Sequence, residues 1–129
     1  MAIAALVDQQ IEDPNELLLF CPSDHHIPDQ TSFLITVQKG INAAQLGAIV
    51  TFGVKPTFPS TAYGYIKEGE ARGDGSIQVG QFIEKPDLDQ ASQLLHRGGV
   101  LWNTGIFLMS TQTLLKALHK HAPDILQSC

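Results

Sequence analysis

The stretch "FIEKPDLDQASQLLHRGGVLWNTGIFLMS", Phe82 to Ser110, holds a strand, a helix and a second strand in succession. Phe82 and Ile83 end the run "SIQVGQFIEK", and Pro86, which has no amide to donate, stops it. Asp87 stands at a helix N-cap, with Leu88, Ala91, Leu94 and Leu95 at inward spacing and Gly98-Gly99 as the stop. "VLWNTGIFLM" reads as a second strand, interrupted near Asn103 to Gly105. Ser110 can cap a further helix, Leu114 to His121, which Pro123 follows.

Outward from this unit the same alternation continues. "YGYIKEG" and "SIQVGQFIEK" flank the turn-forming "RGDG", an antiparallel excursion. Before it, Lys55 to Ala62 carries Pro56 and Pro59 and must be loop, and "AIVTFGV", Ala48 to Val54, is a buried strand. A helix is expected from Asp29 to Leu46, with Phe33, Leu34, Val37, Ile41 and Ala44 inward and Gly47 as its stop. "LLLFC", Leu17 to Cys21, is a continuous apolar run that fits a strand covered on both faces, as in a parallel sheet. Ile3, Leu6, Val7 and Ile11 have near-helical spacing, closed by Asp13-Pro14. The sum is an α/β domain with a mixed, mostly parallel sheet and flanking helices. In such sheets ligands sit at the carboxyl ends of strands.

Bulk properties narrow the function. The chain has 129 residues, enough for one domain and too few for two. Hydrophobic residues make up 43% and charged residues 16%, which suits a folded soluble protein. A net charge of −5, with only eight Lys and Arg, argues against nucleic acid as a partner. Cys21 and Cys129 form neither a disulfide framework nor a zinc spacing, so a reducing cytoplasm is expected. No apolar run reaches the length of a membrane span, and "MAIAALVDQQ" lacks the features of a signal peptide.

Five polar or glycine positions could carry chemistry. Asp24, in the loop "PSDHHIPD", could ligate Mg²⁺, or could be a turn or capping aspartate. His25 and His26 read as loop histidines, because adjacent histidines rarely share one metal. Gly64 lies between Tyr63 and Tyr65, where a strand glycine marks either a bulge or a ligand close to the backbone. Asn103, beside Trp102 and Thr104, offers a donor and an acceptor suited to sugar hydroxyls, or serves a bulge. Glu84 and Lys85 point to opposite sides of a strand and are not arranged to pair. A carboxylate grips vicinal hydroxyls and an ammonium grips phosphate, so together they suit a sugar phosphate; the alternative is a solvated strand end.

Taken together, "CPSDH", "FGVKPTFPSTAYGYI", "FIEKPD" and "LWNTGIF" resemble, in order and approximate spacing, the mannose-1-phosphate guanylyltransferases (GDP-mannose pyrophosphorylases), a family that includes forms fused to a phosphomannose isomerase. The resemblance covers essentially the whole chain. It implies a Rossmann-like nucleotidyltransferase domain that makes GDP-mannose and pyrophosphate from GTP and mannose 1-phosphate. It implies Mg²⁺ as cofactor, with Asp24 as its first ligand. It also implies that Gly64 meets the sugar with its backbone, that Glu84 holds sugar hydroxyls, that Lys85 lies near the phosphate, and that Asn103 contacts the sugar. Tyr63 and Thr104 stand beside these on the substrate side, and Asp24 and Lys85 are the expected catalytic pair. Thr104 replaces a more usual serine and Ala62 a common glycine.

The resemblance also carries a departure. Members of this family begin with a glycine-rich, Arg-bearing nucleotide loop, whereas the first glycine here is Gly40. The second metal aspartate of the family would fall beyond Cys129. The chain is therefore expected to be a part of the domain truncated at both ends, mainly its sugar-phosphate half, and inactive in guanylyl transfer alone. Exposed apolar edges would make it an oligomer. Two rival readings stand beside this one: a pyrophosphorylase for another hexose 1-phosphate, and a non-catalytic sugar-phosphate-binding or interaction module.

Overall fold

The computed structural model describes Asp13 and residues 15–124. In chain order its elements are β1 (Leu17–Phe20), α1 (Gln30–Gln45), β2 (Val50–Val54), β3 (Tyr65–Ala71), β4 (Ile77–Ile83), α2 (Leu88–Arg97), β5 (Val100–Ser110) and α3 (Thr111–His121). Each helix begins where a short polar side chain satisfies an otherwise orphaned amide. Asp29 accepts from Ser32 N at 3.0 Å, Asp87 from Gln90 N at 2.8 Å, and Ser110 Oγ from Thr113 N at 3.1 Å. Hydrogen bonds from the Ser32 side chain and then its amide hold the Asp29 carboxyl below its usual range.

The elements gather into two compact units, one of Met1–Val50 with Ile106–Cys129 and one of Thr51–Gly105. In the first unit β1 pairs antiparallel with the end of β5, Leu17 opposite Ser110 and Phe20 opposite Phe107. Thr111 N continues the ladder by donating to Glu16 O at 3.0 Å. The apolar face so formed buries Met109 against Leu114 of α3, with Leu18, Phe20, Phe107, Leu115 and Leu118 around them. Helix α1 buries Gly40, Ala43 and Ala44, residues small enough for close backbone approach. Its last turn carries no basic residue, whereas α3 ends in His119, Lys120 and His121, which favour the negative end of the helix dipole.

The second unit holds the hairpin and the strand–helix–strand passage. β3 pairs antiparallel with β4, Tyr65 opposite Ile83, and on its other edge antiparallel with β5, Tyr65 opposite Trp102. Strands β4 and β5 therefore run parallel to each other with β3 between them, and α2 carries the chain across β3. The hairpin turn is closed by Arg72 N donating to Ser76 O at 2.8 Å and by Asp74, which accepts from the Ser76 hydroxyl at 2.6 Å. Tyr65 and Ala91 are fully buried with Val100, and Ile83, Leu94, Leu95 and Trp102 complete this core.

Several expectations hold and some are corrected. The alternation of strands and helices, the hairpin and all three caps are present. The expected mostly parallel sheet is not: β1–β5, β3–β4 and β3–β5 are all antiparallel. A continuous apolar run such as "LLLF" reports coverage, not direction, and Leu19 within it is 40% exposed. Leu34 and Leu88, expected inward, are exposed at 57% and 58%, so the helix faces are rotated toward their smaller residues. The strand expected to break near Asn103 runs unbroken from Val100 to Ser110, because Gly105 takes a φ of +73° that absorbs the irregularity. The opening helix expected around Ile3 to Ile11 lies outside the described residues.

Candidate functional site

The register around Tyr65 decides which side chains meet. Ile83, Tyr65 and Trp102 lie side by side across β4, β3 and β5 and pack toward α2. One residue further along, Asn103 N donates to Gly64 O at 2.8 Å, so the ladder continues past the formal start of β3. Successive residues face opposite ways, so the next row, Glu84, Gly64 and Asn103, presents the other face. Gly64 leaves the middle of that row bare. A Cβ built there would come 3.0 Å from Glu84 Oε2 and 3.8 Å from Asn103 Cβ. Two polar arms thus flank a space one side chain wide.

Asn103 is oriented by its own strand. Its Oδ1 accepts from Gly105 N at 3.1 Å and from the Thr51 hydroxyl at 3.4 Å. The amide Nδ2, with two N–H donors, is the end left to face a ligand. The Thr104 hydroxyl donates to Phe52 O at 2.6 Å and ties β5 to β2. Tyr63 belongs with the aromatic row, its ring edge-on to Trp102 at 5.1 Å, and Phe58 also meets the indole edge-on at 4.9 Å. Trp102 Nε1 is buried and has no hydrogen-bond partner among the described residues.

Strand β4 ends at Ile83, and Lys85 takes a φ of +37°, unusual for a residue with a Cβ. This left-handed step turns the chain so that Pro86 is buried and Asp87 can cap α2. Both Glu84 and Lys85 are exposed. Lys85→Asn, which tolerates this conformation, is expected to stabilise the chain by about 1 kcal/mol. Urea denaturation checks this, and a loss of stability would mean that the step is unstrained.

Of the residues expected at the site, Tyr63, Gly64, Glu84, Lys85, Asn103 and Thr104 belong to the unit Thr51–Gly105. Asp24 belongs to the other unit, exposed in the turn after β1, where His25 N donates to Pro22 O at 3.4 Å. No group of three metal-ligating side chains occurs among the described residues. The sequence reading passed over Phe58 and gave no role to Trp102. Trp102 is the chain's one tryptophan, adjacent to Asn103, and that singularity was the available signal. Phe58, in a proline-bounded loop without periodicity, carried none.

Comparison with known proteins now bears on this geometry. A mannose-1-phosphate guanylyltransferase of Sinorhizobium fredii is 39% identical over 128 residues, covering 99% of this chain and 25% of that protein. The xanthan biosynthesis protein XanB of Xanthomonas campestris is 45% identical over 130 residues, covering 100% of this chain and 27% of that protein. The chain thus spans about a quarter of the length of these curated relatives. Among solved structures, a Helicobacter pylori protein described as a mannose-6-phosphate isomerase superposes with a TM-score of 0.82 at 39% identity. That match covers 99% of this chain and 46% of the other. A Thermus thermophilus protein described as a mannose-1-phosphate geranyltransferase gives 0.84 at 29% identity, covering 98% and 37%. The nucleotidyl transferase family matches along residues 1–129, and the chain belongs to that family.

Proposed function

We propose that this chain provides the hexose 1-phosphate-binding part of a mannose-1-phosphate guanylyltransferase, the enzyme that forms GDP-mannose and pyrophosphate from GTP and mannose 1-phosphate. The observation that carries the reading is the row Glu84, Gly64, Asn103, in which a carboxylate and an amide stand on either side of a bare backbone. A hexose ring offers vicinal hydroxyls to such a pair. Glu84 accepts from two of them, Asn103 Nδ2 donates to another oxygen, and Gly64 lets the ring approach the main chain. Lys85, the next residue in the chain and turned by its left-handed step, supplies the positive charge for the 1-phosphate.

In the proposed reaction a phosphate oxygen of the sugar attacks the α-phosphorus of GTP in line and pyrophosphate departs. Catalysis of this kind consists of positioning and charge stabilisation, so holding the sugar and its phosphate is the chemical contribution of these residues. A divalent cation, proposed as Mg²⁺, would offset charge on the phosphates when bound. Asp24 is the proposed protein ligand, an exposed carboxylate of the kind that suits Mg²⁺, an ion that keeps several water ligands.

The names of the relatives favour mannose over other hexoses. Residues 1–129 are read as part of one nucleotidyltransferase domain. A cytoplasmic setting, self-association and the absence of nucleic-acid or membrane partners complete the proposal. No described helix is long and apolar enough to cross a membrane.

Titration of mannose 1-phosphate into isotope-labelled chain tests the reading. Saturable amide shifts at Gly64, Glu84 and Asn103 are expected, with weaker responses to glucose 1-phosphate. Unshifted amides at these three positions would overturn it.

A further inference from the structure

The proline-bounded loop between β2 and β3 is fastened at one point. Tyr65 is fully buried, and its phenol oxygen accepts from Ser60 N at 2.9 Å while its O–H donates to Ser60 O at 2.9 Å. One hydroxyl therefore satisfies both main-chain groups of one loop residue, itself only 6% exposed. The Ser60 hydroxyl in turn accepts from Ala62 N at 3.1 Å and closes a local turn. The anchored residue sits between Phe58 and Tyr63, the two rings that meet Trp102 at 4.9 and 5.1 Å. Directly after Tyr63 comes Gly64, and directly after Trp102 comes Asn103. Loop, aromatic row and ligand row are thus joined through consecutive residues.

We infer that Tyr65 is a positioning residue for the sugar slot: its phenol fixes the 55–62 loop on Trp102 and so holds the Gly64 backbone between Glu84 and Asn103. This inference rests on the proposed sugar site for its consequence in binding, and on the loop geometry alone for the fastening itself. Phe at this position keeps the ring and its packing with Ala91 and Val100 but leaves Ser60 N and O without their partner. The core then remains and the loop loses its anchor. A glycine whose backbone must meet a ligand is sensitive to a displacement of less than an ångström or so, far smaller than the loop itself.

Trp102 provides a spectroscopic reporter that needs no ligand, being the one tryptophan in the chain. In Tyr65→Phe, acrylamide quenching of Trp102 is expected to rise by about twofold or more as Phe58 and Tyr63 loosen locally, with the far-ultraviolet dichroism retained. Mannose 1-phosphate affinity is expected to fall by about fivefold or more through misplacement of Gly64. A purely structural tyrosine would lower the melting temperature and leave both readouts unchanged, and that result overturns the inference. In the unsubstituted chain, the Ser60 amide is expected to exchange about a hundredfold more slowly than the open loop amides of Thr57 and Thr61. Exchange of Ser60 at their rate would overturn the inference even if Tyr65→Phe does not fold. Should the unsubstituted chain not bind mannose 1-phosphate, the proposed function fails, while quenching and exchange still decide whether Tyr65 fastens the loop.

Discussion

Gly64→Ala is expected to weaken sugar-phosphate binding severely while leaving the fold intact. The added methyl would stand 3.0 Å from Glu84 Oε2, closer than ordinary contact and in the gap between the two polar arms. Glu84 is exposed, so the carboxylate can swing aside into solvent. Gly64 is not among the glycines with a positive φ, so alanine can adopt its backbone conformation. Replacing glycine at a strand start even recovers backbone entropy, so stability should stay level or rise by up to about 1 kcal/mol. Affinity for mannose 1-phosphate should nevertheless fall by about a hundredfold, equivalent to about 2.7 kcal/mol. Calorimetric titration beside a urea melt separates the two effects. Affinity within about threefold of the parent, less than about 0.7 kcal/mol, would remove Gly64 from the site.

Asn103→Asp is the companion experiment. The new side chain has the same shape and keeps an acceptor oxygen for Gly105 N and the Thr51 hydroxyl, so the strand geometry should persist. What changes is the other end, where two N–H donors become a second acceptor. A sugar oxygen that received a hydrogen bond then faces a lone pair, and a second negative charge joins Glu84 beside Gly64. The dianionic phosphate of the substrate makes that charge more costly still. Affinity should fall by about a hundredfold, because an unmatched polar contact is penalised beyond the bond it loses. The melting temperature should move by only a few degrees, as expected for a stability change below about 1 kcal/mol. If the variant binds as tightly as the parent, Asn103 serves the strand and not the ligand.

How much of this was legible beforehand differs between fold and site. Asp87 with Gly98-Gly99, and Ser110 before its apolar helix, are local signals, and local hydrogen bonds decided them in the structure as in the sequence. Strand direction was not legible, because "LLLF" offers the same side chains to a parallel or an antiparallel neighbour. Pairing with Phe107 to Ser110 settles it, nearly ninety residues downstream. Leu34 and Leu88 misled for a related reason. Their spacing fits an inward stripe, yet each helix turned its small residues, Ala43 and Ala44 or Ala91, to the packed side. Packing of backbones at close range outweighs the burial of one more leucine at the margin.

Among the site residues, Glu84, Gly64 and Asn103 were each ambiguous alone, and each had a bland alternative. Nothing in one dimension says that they stand abreast. That follows from the register of three strands, fixed by the burial of Tyr65, Ile83 and Trp102 on the opposite face. A one-residue slip would have sent the aromatic row outward, and the cost of exposing it holds the polar row in place. The bond from the Thr104 hydroxyl to Phe52 O was equally invisible in one dimension, since it joins positions 52 residues apart.

The amino-acid sequence by itself determined where helices begin and end, that strands and helices alternate, and which residue types were available to hold a sugar phosphate. These are properties of neighbours in the chain. Tertiary structure alone decided that β1 and β3 each run antiparallel to β5, and that Glu84 and Asn103 flank one bare glycine. Those depend on hydrogen bonds and packing between segments far apart in sequence, and no local preference specifies them.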